Sequence, residues 1–212
     1  MPVGPKANLG WSAFATVAVA ACLLVQGLVP VRAQTVRPSA QHRVAAARAY
    51  DRGTALYLAG EYAGAAQWFE TADRMAPAAP ALLQAIRAHQ RAGNALRAAS
   101  LSLRLLYEYP KERKVARYAR SILAKTRGQF LRVEARCVGA WLLINPEQNV
   151  LAREDCTIEL DGILQEHPSF FVAPGATHRI VAHFRTGDVA KAVSGKKGDS
   201  IVVEFRVPLK KP

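Results

Sequence analysis

The fold of this chain is decided by a stretch that occurs twice, as GEYAGAAQWFETADRMAP at residues 60–77 and as GNALRAASLSLRLLYEYP at residues 93–110. Each copy begins with glycine and ends with proline, and Ala65 recurs as Ala98, 33 positions later. A fixed period of this size indicates stacked supersecondary units, which usually present a surface to a partner. The repeat therefore favours a binding protein over a single-copy enzyme core.

Each copy is predicted to belong to a helical hairpin. Apolar residues three and four positions apart give each helix a buried stripe. Ala65 and Ala98 are small enough to let two helices approach closely. Glycine at the turn can adopt the positive φ that ends a helix, and proline cannot continue one. An ordinary helical bundle with chance similarity between the copies is the alternative.

The two copies, at residues 46–78 and 79–111, resemble the tetratricopeptide repeat (TPR). The residues of the first copy that match the family pattern are Gly53, Gly60, Tyr62, Ala65, Phe69 and Ala72. The second copy keeps Gly93, Ala98 and Pro110 but departs from the pattern at Ile86, Ala95, Ser102 and Leu105. The resemblance implies a ligand groove lined by the first helix of each hairpin, at Tyr50, Thr54, Tyr57, Arg87, Gln90 and Arg91.

A fifth helix is predicted from Lys111 to Arg127, ended by Gly128. Its apolar stripe holds Val115, Tyr118, Ala119, Ile122 and Leu123. Its other faces are strongly basic and include a set that we name the basic cap, Arg113, Lys114, Arg117 and Arg120. One apolar side and one charged side is what a terminal capping helix needs.

The segment 1–33 is predicted to be a secretory signal peptide. Lys6 precedes an apolar run from Leu9 to Val29, and Val31-Arg32-Ala33 supplies small residues for cleavage before Gln34. The run is nearly long enough to span a bilayer, so an uncleaved inner-membrane anchor is an alternative. A lipoprotein signal at Cys22 is a third interpretation, against which the apolar residues that follow it argue. Residues 34–43 are predicted to be a flexible lead and residues 44–127 the helical domain.

After Gly128 the apolar spacing changes from helical to alternating. Every second residue is apolar in 131–137, 156–160 and 201–207. Such alternation predicts half-buried strands of an antiparallel sheet. With turn residues between the short strands, the pattern favours a compact β-sandwich. We therefore predict an α+β chain in which helical hairpins precede a small antiparallel sandwich at residues 128–208 and a basic tail at 209–212.

The second half resembles the PEGA domain, a small β-sandwich of envelope and surface proteins. The matching segments are Thr157–Gly162, Phe171–Gly175 and His178–Phe184. The family's Pro-Glu-Gly-Ala is absent, and Val138–Leu151 is interpreted as an insertion. The resemblance implies a structural or adhesive module and no catalyst.

Two cysteines remain after signal cleavage, Cys137 and Cys156, both on the apolar faces of their strands. In an exported chain the simplest prediction is one disulfide between them, and two buried thiols are the alternative. The sequence contains no phosphate-binding glycine loop, nucleophile elbow or metal-spaced Cys/His cluster. We therefore predict no catalytic residues, no metal site and no cofactor.

The formal net charge of +13 is concentrated in the second repeat and the cap. Residues 87–127 contain eleven Lys and Arg against two acids. Export argues against nucleic acid as the partner. The sequence thus predicts a non-enzymatic scaffold protein of the bacterial cell envelope that binds a protein or peptide, with homo-oligomerisation left open. The alternative is a binder of anionic peptidoglycan, teichoic acid or lipopolysaccharide through the basic cap.

Overall fold

The computed structural model describes residues 38–139, 141–145, 150–153 and 155–208. Over these residues five helices precede nine strands, as the predicted α+β order requires. The helices are α1 (Ala40–Leu58), α2 (Tyr62–Met75), α3 (Ala79–Arg91), α4 (Ala95–Glu108) and α5 (Arg113–Lys125). The predicted signal peptide, residues 34–37 of the predicted lead and residues 209–212 of the predicted tail lie outside the described residues.

The first four helices form two hairpins that repeat at the interval of the sequence. Both ends of α2 recur in α4 one repeat period later, and the last residue of α1 recurs as the last residue of α3. The turn glycines Gly60 and Gly93 have φ of 81° and 77°, in the left-handed region that glycine adopts readily. Consecutive helices pack against one another from α1 to α5.

Helix α1 begins earlier than the sequence-based boundary at residue 44. The side chain of Ser39 accepts a hydrogen bond from the backbone N–H of His42 and so caps the helix at Ala40. Residues 40–43 of the predicted flexible lead are therefore helical.

Helix α5 separates its two kinds of residue by face. Ala116, Ala119 and Ile122 are buried, and Ala119 and Ile122 belong to the same core cluster as Leu82 and Leu105 of the preceding hairpin. All four residues of the basic cap are exposed. The helix thus closes one end of the helical stack and presents its charges to solvent.

The described strands form three sheets. Their bounds are β1 (Leu131–Val138), β2 (Trp141–Asn145), β3 (Val150–Arg153), β4 (Thr157–Leu160), β5 (Ile163–Gln165), β6 (Ser169–Val172), β7 (His178–Phe184), β8 (Gly187–Val193) and β9 (Ser200–Arg206). The strand orders are β6-β1-β9, β5-β4-β7-β8 and the separate pair β2-β3, which lies mostly within the predicted insertion. Side chains from the first two sheets meet in one buried cluster that includes Val133, Ile180 and Phe205.

One pairing corrects the prediction of an antiparallel sheet. Strands β1 and β9 run parallel, with Val133 opposite Ile201, so the β6-β1-β9 sheet is mixed. Parallel neighbours need a long crossover connection, and the chain from β2 to β8 supplies it. Alternating hydrophobicity reports which face of a strand is buried but not the direction of its neighbour.

The helices and strands belong to one compact unit. Helix α4 packs against β6, where the hydroxyl oxygen of Ser100 accepts a hydrogen bond of 3.0 Å from the backbone N–H of Phe171. Helix α4 therefore makes a direct contact that helps to position the β region.

Candidate functional site

Three of the six predicted groove residues line one cavity between the hairpins. Thr54 and Tyr57 come from α1 and Arg87 comes from α3, with Phe69 of α2 among the other lining residues. The cavity has a volume of about 360 Å³. The ring of Tyr57 is further held edge-on by Tyr62, with centroids 5.1 Å apart. The cavity thus combines an aromatic wall with one guanidinium.

Arg87 and Gln90 are both held by the α5 residue Tyr118. The guanidinium carbon of Arg87 lies 5.2 Å from the centre of the Tyr118 ring, a cation–π distance. The Tyr118 hydroxyl donates a hydrogen bond of 2.6 Å to Gln90. Burial raises the pKa of Tyr118, although the positive charge of Arg87 opposes that shift. Helix α5 therefore orients the α3 side of the cavity.

The two remaining groove residues lie in different surroundings. Tyr50 is half-buried, and its ring packs edge-on against Phe69 with centroids 5.2 Å apart. Arg91 is exposed at the end of α3. Tyr50 consequently contributes to the floor of the helical stack, whereas Arg91 remains accessible from solvent.

A partly buried ionic cluster between α2, α3 and α4 was not predicted from the sequence. The carboxylate of Glu70 accepts a hydrogen bond of 2.5 Å from His89 Nε2 and is paired with the guanidinium of Arg97. Burial alone raises the pKa of Glu70, but its hydrogen bonds with His89 and Arg97 lower the pKa to about 2. The cluster ties the two hairpins together through one carboxylate.

A second ionic cluster joins the helices to the β region. Asp73 is fully buried, and its Oδ2 lies 2.6 Å from a terminal nitrogen of Arg104. The same guanidinium pairs with Glu108 at 2.7 Å and with Glu166, which lies between β5 and β6. Asp73 Oδ1 also accepts a hydrogen bond of 3.0 Å from the backbone N–H of Ala78 at the start of α3. Burial raises the pKa of Asp73, and Arg104 opposes this shift.

The spacing of residues along α2 and α4 indicates that two members of the second cluster are buried. Asp73 comes four residues after Phe69 and Arg104 three residues after Leu101, so each falls on the buried stripe of its helix. A charged residue on an apolar stripe needs a buried partner, because an unpaired buried charge is costly. The sequence does not show that these two residues are partners.

The cysteines lie where a disulfide would link the two larger sheets. Cys137 is on β1 and Cys156 immediately precedes β4, with Cα atoms 6.0 Å apart at disulfide distance. Both side chains pack against the β core. The pair closes the segment that carries the β2-β3 hairpin, which agrees with the predicted bridge.

Two histidines of the β region are held by carboxylates. His178 lies 2.7 Å from Asp161 and 2.9 Å from the backbone oxygen of Ala173. His183 lies between Glu159 and Asp188, at 3.2 and 3.0 Å. The hydrogen bonds that His183 donates to the carboxylates of Asp188 and Glu159 raise its pKa. Across the described parts of the chain, no group of three or more His, Cys, Asp or Glu side chains is arranged to hold a metal ion.

No protein-family model, curated protein or solved structure matches this chain. Among the helices that the structure describes, none combines the length and the apolar character needed to cross a bilayer.

The Glu70 cluster should make stability depend on acid pH. The pKa of Glu70 is about 2 in the folded chain against an ordinary value of 4.5, so its stabilisation is complete above pH 4.5. It is lost as the pH falls from 4.5 towards 2, and the full contribution is about 3 kcal/mol. Urea unfolding between pH 7 and pH 2 would measure the free energy of unfolding at each pH. Its dependence on pH should be flatter in Glu70→Gln than in the unmodified chain. An exposed control, Glu112→Gln, should keep the wild-type profile. An equally steep acid loss in Glu70→Gln would contradict the assignment.

Proposed function

We propose that this chain is a non-enzymatic, exported scaffold protein of the bacterial cell envelope that binds a protein or peptide partner. Its hairpins are TPR-like units, and its ligand lies in the cavity between α1 and α3. The observation that carries the proposal is the convergence of Thr54, Tyr57 and Arg87 on one cavity between two repeated hairpins. A tyrosine offers apolar contact with a polar tip, and an arginine offers forked donors to a carboxylate.

The β region is proposed to be a PEGA-like sandwich that anchors or orients the helical part. Two sheets of three and four strands share one core, which is the arrangement that a sandwich requires. The contact of α4 with β6 and the Arg104–Glu166 ion pair hold this region against the helices. The partner bound by the helices would thereby be held at a fixed position relative to the β region.

Export is part of this proposal. The signal-like residues 1–33 and the cysteine pair at disulfide distance both favour an oxidising compartment. Sequencing the N terminus of protein isolated from cell fractions should give Gln34 in the envelope fraction. An intact Met1 in the cytosolic fraction would contradict export, whereas an intact Met1 in the inner membrane would support the anchored form.

Groove variants should weaken capture of the partner from envelope extract. Arg87→Ala and Arg91→Ala should each cost about 1–3 kcal/mol, because a charged hydrogen bond is left unmade. The matched controls are Arg113→Ser and Arg117→Ser on the basic cap, which should leave capture unchanged. Capture that is insensitive to every groove variant would contradict this assignment.

The second candidate function is binding of an anionic envelope polymer. It rests on the four exposed cations of the basic cap, which lie on one short helix at the end of the stack. In that case the cap variants should dominate with modest, additive effects. Binding should also collapse at high salt, because exposed charges are screened beyond about 8 Å at physiological ionic strength.

A further inference from the structure

The first hairpin carries a second cavity on a different face from the groove. Residues of α1 (Ala40, Gln41, Val44, Ala45, Arg48, Ala49 and Arg52) and of α2 (Trp68 and Met75) line a volume of about 630 Å³. Val44, Trp68 and Met75 are 53%, 41% and 37% exposed, which is unusual for large apolar side chains so close together. We name this surface the α1 face. A concentrated apolar patch on a soluble surface marks an interaction site.

The surface of the second hairpin that corresponds to the α1 face is covered by a helix. One repeat period after Arg48, Arg52 and Trp68 stand Ala81, Ala85 and Leu101, and these are 5%, 0% and 2% exposed. In the second hairpin that face is covered by α2 of the first, which packs along α3. The α1 face is therefore the equivalent stacking surface on the first hairpin, and a helix is the element that the fold places there.

The charges of the α1 face select the kind of helix. Arg48 and Arg52 stand where the second hairpin has alanine, one helical turn apart beside Trp68 and Val44. A partner that covers the apolar centre must place negative charge beside both guanidinium groups. Neither the α1 face nor the exposed face of α5 of a second copy supplies it, because both are basic.

We propose that the α1 face binds an amphipathic helix of a partner protein, with an apolar stripe over Val44, Trp68 and Met75 and with acidic residues opposite Arg48 and Arg52. This site is distinct from the groove between α1 and α3 and goes beyond the proposed function. The bound helix would take the place that a preceding hairpin would hold in a longer stack, so the partner extends the stack rather than entering the groove.

Two synthetic peptides can test the proposal on the full chain. Each is an amphipathic helix of about 20 residues with the same leucine and alanine stripe, long enough to be helical when bound. One carries glutamates beside the stripe and the other carries lysines at the same positions. Fluorescence anisotropy of the labelled peptides should show binding of the glutamate peptide and at least about tenfold weaker binding of the lysine peptide, a difference of about 1.4 kcal/mol.

Charge reversal supplies the decisive comparison. Arg48→Glu/Arg52→Glu should bind the glutamate peptide at least about tenfold more weakly than the unmodified chain does. The same variant should bind the lysine peptide more tightly than the unmodified chain does. Trp68→Ala should weaken binding of the glutamate peptide to the chain with Arg48 and Arg52. It should also weaken binding of the lysine peptide to the charge-reversed variant. The matched control, Arg113→Glu/Arg117→Glu on α5, should behave as the unmodified chain. Because the four arginines changed here are all exposed, circular dichroism should show every charge variant folded.

Several results would overturn the proposal. Equal binding of both peptides, or no binding of either at about 100 μM, would show that the face does not select an acidic helix. Concentration-dependent self-association abolished by Trp68→Asp would assign the face to a second copy. Binding to vesicles of anionic lipid that is lost in Arg48→Glu/Arg52→Glu, without peptide binding, would assign it to a membrane surface. None of these outcomes bears on partner capture by the groove variants, so this site and the proposed function are tested separately.

Discussion

Replacing Arg104 with methionine is expected to lower the free energy of unfolding by about 3–5 kcal/mol, the usual cost of removing one partner from a buried ion pair. Arg104 is 7% exposed and lies against Asp73, which is fully buried. Methionine keeps much of the length and volume of the side chain, so the loss reports the charge more than the packing. The variant also removes the ion pairs of Arg104 with Glu108 and Glu166. The pair with Glu166 joins the helices to the β region.

Two controls separate the ion pair from general effects of substitution. Arg117→Met changes an exposed arginine of α5 and should shift stability by no more than about 0.5 kcal/mol. The double variant Asp73→Asn/Arg104→Met should lose less than the sum of the two single losses, because the residues are coupled. Urea unfolding followed by circular dichroism measures these three variants, Asp73→Asn alone and the unmodified chain. A loss below about 1 kcal/mol for Arg104→Met would show that the buried pair does not stabilise the fold.

Replacing Gly53 with isoleucine should destabilise the chain by about 3 kcal/mol, at the upper end of the cost of overpacking a core. A Cβ at Gly53 would stand 2.9 Å from the ring of Phe69, closer than real Cβ contacts. The equivalent positions in the second hairpin are Ile86 and Ser102, both buried, with the large and small residues exchanged. The two hairpins thus have opposite arrangements of large and small residues at one packing position.

A double variant that copies the residues of the second hairpin into the first tests this prediction. Phe69→Ser alone should cost about 3–5 kcal/mol through the cavity it leaves. Gly53→Ile/Phe69→Ser should recover a large part of both losses, since it copies the arrangement of the second hairpin. Gly64→Ala is the matched control, because a Cβ there meets Leu56 at an ordinary 3.4 Å. That variant should be neutral or stabilising by up to about 1 kcal/mol. Additive losses in the double variant would contradict the proposed equivalence.

Local patterns in the sequence predicted much of the fold. The turn glycines Gly60 and Gly93 and the apolar stripe of α5 are local signals, and the structure has hairpins and a fifth helix at these places. The alternation in 131–137 and 201–207 likewise places Val133 and Phe205 in the β core. These features depend on the conformational preference of each residue and on which face it buries.

Relations between distant segments were not accessible in the same way. The parallel pairing of β1 with β9 joins the first and last strands of the β region, and alternation is the same in parallel and antiparallel neighbours. The Arg104–Glu166 pair likewise depends on how β6 packs on α4. Of the groove residues, Tyr50 and Gln90 could be placed on the correct helices, but their contacts with Phe69 and Tyr118 depend on packing between helices.

Site-specific photo-crosslinking in living cells can show whether a partner binds in the cavity between α1 and α3. A photoreactive phenylalanine analogue at Thr54, which is exposed and lines the cavity, should form a crosslink to an envelope protein. The same analogue at Arg117 on the basic cap is the matched control and should give none. Arg87→Ala should reduce the Thr54 crosslink. A crosslink from Arg117 with none from Thr54 would contradict binding in the cavity and assign it to the basic cap.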